Sequence, residues 1–339
     1  MTYLIAFPLT RVLPSLETIG YGVISANKIN SQYFISIDSG RKASQIPIKF
    51  QPHGILLTKP DQLIVIGKRP SDLLAVVDLK NKRVSKTIHL PYGRHFWGHA
   101  VIDTDSQSLY ATEYDFENET SIISEWSLND LKQKSFFQSH GISGHDLIIS
   151  ENTLICANGG FLTSPEFGRM ILSEEVTSSL SVIDKGNYNL IASVKPPENH
   201  MSFRHLCQTK DTVFVGLQNK TKQYYKNETT IAALDKSSMK LTSVVTQNDG
   251  NKGYITSITN FKDQFIVATS HVNNSIYFID AKTNSVLKVV NEQSPQGIQV
   301  VKDKMYITVE NGILEIDDEL NYQAKSLPHI GFWQNHCLT

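Results

Sequence analysis

The chain has 339 residues, of which 40% are hydrophobic and 19% charged, and its 32 Lys and Arg against 33 Asp and Glu give a net charge of −1. That composition excludes a disordered tail and a membrane bundle, and the near-neutral balance speaks against a general nucleic-acid binder, which needs a basic surface to displace counterions. A length that would ordinarily mean two or three domains also suits one long all-β ring.

Residues 1–17 carry an apolar run without a basic leading segment and with an early Pro8, so they are expected to be an N-terminal extension or the remnant of a leader ahead of a single domain over 18–339. No stretch reaches the ~18–20 apolar residues of a membrane span. The segments YGVISANKI, QYFISIDS and SQIPIKF then predict three strands. From His53 onward, short runs rich in Val, Ile, Tyr and Phe alternate with clusters of Asp, Asn, Gly, Lys and Ser, as in LIVIGK, LAVVDLKNK, LSVIDKGN, VFVGLQNK and FIVATS. This is strand-and-turn sequence, and Ser173–Ser178 is the one helix candidate.

An apolar strand ending in Asp and followed by a turn recurs at Asp38, Asp78, Asp184, Asp235, Asp280 and Asp317, with Ser127 in the same slot. An Asp there can accept hydrogen bonds from the turn's own amides. These seven units lie about 37 to 57 residues apart, a period that matches four-stranded propeller blades. The expected fold is therefore an all-β, seven-bladed β-propeller with four-stranded blades. Three N-terminal strands and one C-terminal inner strand, QNHCLT, would close the ring and remove exposed edges. Cys156, Cys207 and Cys337 form no CxxC motif and are expected to be free thiols.

The first residues of the inner strands fall at His53, His99, His145, His205, Ser257, Gln296 or Gly297, and His336. Five of these seven places are histidine. Inner strands line a propeller's axis, so equivalent positions converge on one level of the channel. Imidazoles gathered there suit a transition-metal ion, which takes their neutral nitrogens as ligands. His53, His99, His145, His205 and His336 are thus the candidate metal ligands, with iron, copper or zinc as the ion. Ser257 and Gln296 leave room for water or a further ligand. Arg94, Glu113, Asn158 and Arg204, at strand ends on the same face, are expected as a second shell or ligand rim. Glu113 is the carboxylate expected beside His99. Arg69 belongs to the same face, His95 and His271 border it, and the loop from Gly159 to Ser178 is expected to act as a lid with Arg169 as its inward anchor. The chain has no GxSxG, Walker, GxGxxG or HExxH motif and no Trp-Asp repeat signature.

In order, GRHFWGHAV, LYATEYDFE, GISGHDL, CANGG, PEFGR, SFRHL, VGLQ and WQNH closely resemble the motifs of a bacterial family of unknown-function propeller proteins. The resemblance covers about residues 18–339. Members are usually exported, and their genes often accompany those of imelysin-type iron-uptake proteins and di-haem peroxidases. The family's motif histidines correspond to His53, His99, His145, His205 and His336. Trp97 stands where Tyr is usual, and Gln334 where Asp is usual. The resemblance implies a periplasmic address, iron as the first choice of metal, copper next, and iron-uptake proteins as partners.

Three functions follow as alternatives. The first is a metal-handling protein that binds iron or copper, or a small metal-associated ligand, within an uptake system. The second is a metal-dependent oxidoreductase or hydrolase working at the funnel. The third is a non-catalytic protein- or ligand-binding scaffold in which the histidines are structural and Arg69, Arg94, Arg169 and Arg204 recognise a partner or a small anion.

Overall fold

A computed structural model describes residues 3–4, 23–38, 43–162, 177–221, 223, 225–247, 253–301, 303–310 and 312–325. Every described regular element is a β-strand. Six blades are complete antiparallel meanders. The first holds β5 (Pro52–Lys59), β6 (Gln62–Gly67), β7 (Leu73–Asp78) and β8 (Arg83–His89), with a further sheet before it made of β1 (Tyr3–Leu4), β2 (Val23–Ile29), β3 (Gln32–Asp38) and β4 (Ala43–Ile48). The second comprises β9 (Arg94–Asp103), β10 (Ser108–Asp115), β11 (Thr120–Ser127) and β12 (Gln133–Gln138). The third comprises β13 (Gly144–Ser150), β14 (Thr153–Asn158), β15 (Ser179–Asp184) and β16 (Leu190–Val194). The fourth is β17 (Met201–Gln208), β18 (Thr212–Asn219), β19 (Glu228–Asp235) and β20 (Leu241–Gln247). The fifth is β21 (Ser257–Phe261), β22 (Phe265–Ser270), β23 (Ser275–Asp280) and β24 (Val286–Asn291). The sixth is β25 (Ile298–Val301), β26 (Lys304–Val309), β27 (Gly312–Ile316) and β28 (Tyr322–Lys325).

The chain is thus an all-β propeller with four-stranded antiparallel blades. The three expected N-terminal strands are β2, β3 and β4, joined in continuous antiparallel register. The edge beside β2 is taken by the two residues of β1. The C-terminal strand expected to close that sheet, with His336, lies outside the described residues, as do Cys337, Arg169 and most of Ser173–Ser178.

First strands of successive blades touch in turn, β5 to β9, β9 to β13, β13 to β17, β17 to β21 and β21 to β25, and so line one axis. Apolar side chains between neighbouring sheets form the core: Ile24, Ile35 and Ile46 with Ile55 and Leu63, then Ile64 and Leu74 with Phe96 and Leu109. The same packing continues around to Phe261 and Phe278 with Ile298 and Ile307. Tyr306 on β26 packs back against the cluster of the first two sheets. The outermost strands β8, β12 and β24 alternate or face solvent, as one-sided antiparallel edges do. Cys156 and Cys207 are buried free thiols.

The recurring Asp has the role expected of it. Asp78 accepts from the amide of Asn81, Asp184 from Gly186 and Asn187, Asp235 from Ser237 and Ser238, Asp280 from Lys282 and Thr283, and Asp317 from Glu319 and Asn321. Ser127 does the same for Asn129 at 3.3 Å. Hydrogen bonds from the Ser237 and Ser238 side chains and amides hold the Asp235 carboxyl down at about 2. A carboxylate whose folded pKa is depressed stabilises the fold above its unfolded pKa and loses that contribution as pH falls through the folded one. The thermal midpoint of the wild type is therefore expected to fall between pH 5 and about pH 2, as the turn carboxylates protonate. Asp235→Asn should start lower at pH 5 and show a smaller drop. Parallel drops measured by circular dichroism melts would refute a stabilising role for this carboxylate.

Candidate metal centre

A strand sends alternate side chains to opposite faces, and an inserted residue breaks that alternation and re-aims a side chain. Four consecutive inner strands carry such a break at a histidine, and β5 carries a second one at Thr58. In β5, Pro52 faces Gly67 and Gly54 faces Ile66, so His53 is the extra residue. In β9, Ala100 faces Ala111 and Phe96 faces Glu113, leaving Trp97, Gly98 and His99 opposite Thr112. In β13, Gly144 faces Asn158 and Asp146 faces Ala157, and His145 lies between. In β17, Phe203 faces Leu217 and Leu206 faces Val215, so Arg204 and His205 oppose Gly216. β21 and β25, which lack the histidine, run in unbroken register from Ser257 and Ile298, but just ahead of them the amides of Thr256 and Gln296 donate to Thr269 and Thr308, which also face Ser257 and Gly297, so an extra residue stands there too.

The repeat register is visible in hydrogen bonds too. Thr112 Oγ1, on β10, lies 3.1 Å from the carbonyl of His99 and 3.4 Å from that of His145. Thr269, on the equivalent strand β22, donates to the carbonyl of Gln296. Gln296 therefore occupies the slot that holds His145 three blades earlier. The sequence placed each histidine at the start of its strand, but β9 and β17 begin earlier. Past their bulges, Arg94 resumes pairing with Asp115 and Met201 with Asn219. Arg94, His95, Trp97 and Arg204 are consequently strand residues.

His53, His99, His145 and His205 are brought together and are all buried. Ring centroids are 4.8 Å apart for His53 and His99, 4.4 Å for His99 and His145, 4.9 Å for His145 and His205, and 5.3 Å for His99 and His205. His53 Nε2 lies 3.1 Å from His99 Nε2. His99, His145 and His205 each offer a nitrogen within 4.8 Å of the other two. Among the described residues neither ring nitrogen of His145, which is 2% exposed, has a hydrogen-bond partner. A buried imidazole with both nitrogens unpartnered is costly unless a ligand takes one of them. Burial is the main cause that lowers the pKa of His99, to about 3, with the charges of Arg204 and Arg69 adding to it. His145 is lowered in the same way, burial first and Arg204 next. Both imidazoles are therefore neutral at ordinary pH, the form that ligates metal.

The carboxylate beside these rings is Asp146. Its Oδ1 is 3.7 Å from His99 Nδ1 and its Oδ2 is 4.0 Å from His205 Nδ1. The amide of Leu147 donates to it at 2.8 Å, and that of Leu206, on the next blade, at 2.9 Å. Burial raises Asp146 to about 7, against the pull of those amides and of Arg204. Glu113, expected in this role, is instead enclosed by Arg94 and Ser124. The reason is the bulge, which sets Glu113 opposite Phe96 rather than His99 and two residues, hence on the same face, from Asp115, whose backbone pairs with that of Arg94.

Asn158 also bonds away from the imidazoles. Its amide donates to Ser181 at 2.8 Å and to Ser179 at 3.3 Å, while Ser178 donates to its carbonyl at 2.7 Å. It thus pins the base of the loop expected as a lid, whose residues 163–176 lie outside those described. At the foot of that loop Phe161 is buried. The guanidinium carbons of Arg69 and Arg204 each lie 5.6 Å from its ring centroid, and Lys220 Nζ lies 5.0 Å from it. Arg69 also sits 5.0 Å over Trp97. His271 accepts from or donates to Thr256 at 2.7 Å, and His95 packs on Phe116.

The fold and this site define a propeller with a buried histidine cluster on its inner strands. Residues 46–339 match the model of the family described as "Protein of unknown function (DUF1513)", and the chain belongs to that family. No curated protein matches it. Among solved structures it is similar to "Kuenenia stuttgartiensis Hydrazine Synthase", with a TM-score of 0.68 at 13% identity over 91% of this chain and 94% of that one. It is also similar to "Structure of U3-55K", with a TM-score of 0.63 at 10% identity over 91% of this chain and 89% of the other. At these identities the likeness is one of fold. No helix among the described residues is long and apolar enough to cross a membrane.

Thr112 ties the two central histidine carbonyls together from a neighbouring strand. Thr112→Val keeps its shape and removes the hydroxyl, so urea unfolding should register a loss of about 1–3 kcal/mol. A loss under about 0.5 kcal/mol, the range of an ordinary surface change, would show that the hydroxyl contributes nothing there.

Proposed function

We propose that the protein binds a transition-metal ion through His99, His145 and His205, with His53 beside them and His336, outside the described residues, as a further candidate ligand. The observation that carries this is the buried trio, each residue with a nitrogen within 4.8 Å of the others, and His145 with no other partner for either nitrogen. Asp146 orients the imidazoles from behind, as carboxylates commonly do for metal-bound histidines. Three protein nitrogens leave a coordination position for a further ligand, as a site that hands metal on requires. Iron is the first expectation and copper the next, from the genomic company of the bacterial proteins that the motifs resemble. Imidazole also suits zinc. On the same resemblance, the protein works in the periplasm with iron-uptake proteins.

The test is metal content after loading tag-free protein with Fe(II), Cu(II) or Zn(II) and desalting. Wild type should retain about one equivalent of the preferred ion, and His99→Ala or His145→Ala should retain almost none. His89→Ala, on the exposed edge strand β8, should match wild type. Asp146→Asn should weaken affinity by about 10- to 100-fold without abolishing it. Equal, negligible retention by wild type and His145→Ala with all three ions would defeat the proposal.

A further inference from the structure

Beside the histidines lies a group of cations that the metal reading does not use. Arg204 shares the β17 bulge with His205 and is 4% exposed. Tyr254 bonds one part of its guanidinium, but Nε and Nη1 have no hydrogen-bond partner. Arg69, at the end of β6, leaves Nη1 buried and unpartnered as well. Among the described residues neither arginine forms a salt bridge with an Asp or Glu, whereas Arg94 is paired with Glu113. Both guanidinium groups face the same Phe161 ring from 5.6 Å. Two buried, mutually repelling charges with open N–H groups are a costly arrangement that a bound anion would relieve.

We propose that Arg204 and Arg69 form a binding site for a carboxylate group of a small organic molecule, next to the histidine cluster. A guanidinium presents a planar fork of donors that matches the lone pairs of a carboxylate. The described residues around it include no helix N-terminus, the usual source of the extra amides that a phosphate takes. Phe161 and Trp97 back the two forks with apolar rings, so the site is dry on that side and charge-assisted hydrogen bonds are strong there. The site goes beyond the metal reading and stands without it.

Isothermal titration of metal-free protein with succinate, and separately with inorganic phosphate, tests this. Succinate should bind wild type with a Kd below about 1 mM. Arg204→Gln and Arg69→Gln should each weaken it by about tenfold or more, the loss expected for one charge-assisted pair. Arg83→Gln, on the outer strand β8, should leave it unchanged. Both site variants must keep the wild-type circular dichroism spectrum, and two variants are used so that one failing to fold does not decide the matter. No binding of succinate, equal binding by both arginine variants, or tighter binding of phosphate than of succinate would overturn the proposal. Failure of the metal reading is separable, since His145→Ala should lose metal and keep succinate.

Discussion

The site rests on a constraint of sheet geometry. In a regular strand the side chain at one position and the next must leave by opposite faces. An inner propeller strand uses both faces for packing against neighbouring blades and has none left to aim along the axis. Inserting one residue opposite a single partner releases a side chain from that alternation. β5, β13 and β17 do so with one extra residue and β9 with two, in each case at the histidine, and just ahead of β21 and β25 the pairs Thr256–Ser257 and Gln296–Gly297 likewise each face a single residue, Thr269 and Thr308. The irregularity thus recurs around the ring at this level, and in four blades the released residue is a histidine.

The bulge also explains Asp146. Next to His145 in an ordinary strand, it would point away from the imidazole. With His145 as the inserted residue, Asp146 resumes pairing opposite Ala157 while its carboxylate reaches Leu206 on the following blade and lies near His99 and His205. A single carboxylate thus links β13 to β17 and faces two of the three clustered imidazoles. Its burial would be prohibitive for a lone charge. The two amides and the nearby Arg204 charge are what offset it.

Much of this was legible in the sequence because repetition amplifies weak signals. One Asp after an apolar run says little, but the same Asp at Asp78, Asp184, Asp235, Asp280 and Asp317 sets a period, and the turn hydrogen bonds bear it out. The histidine column follows from that period. What the period could not carry was local departure from it. Glu113 was placed beside His99 by assuming that the end of one strand lies opposite the start of the next. The bulge shifts that pairing, and Glu113 meets Arg94 instead. Asp146 is absent from the sequence expectations, and regular alternation would set it on the face opposite His145. The signal available was the Gly-His-Asp triplet itself: a glycine before the histidine eases a bulge, and an acid after it has a role only if the bulge exists.

Charge balance links the metal centre to its surroundings. Arg69 and Arg204 help to keep His99 and His145 unprotonated, which readies their nitrogens for a metal. The same two charges oppose the entry of a cation. Asp146 supplies one compensating negative charge when ionised, and burial raises its carboxyl to about 7. A divalent ion bound by the imidazoles would favour the ionised form of Asp146. Even then the cluster carries an excess of positive charge in a buried setting, and no Asp or Glu among the described residues forms a salt bridge with either arginine. An anionic group on Arg204 and Arg69 is the simplest remaining source of neutrality. On this account metal and carboxylate would favour each other's binding, and a chelate that brings both together would suit the site better than a bare ion.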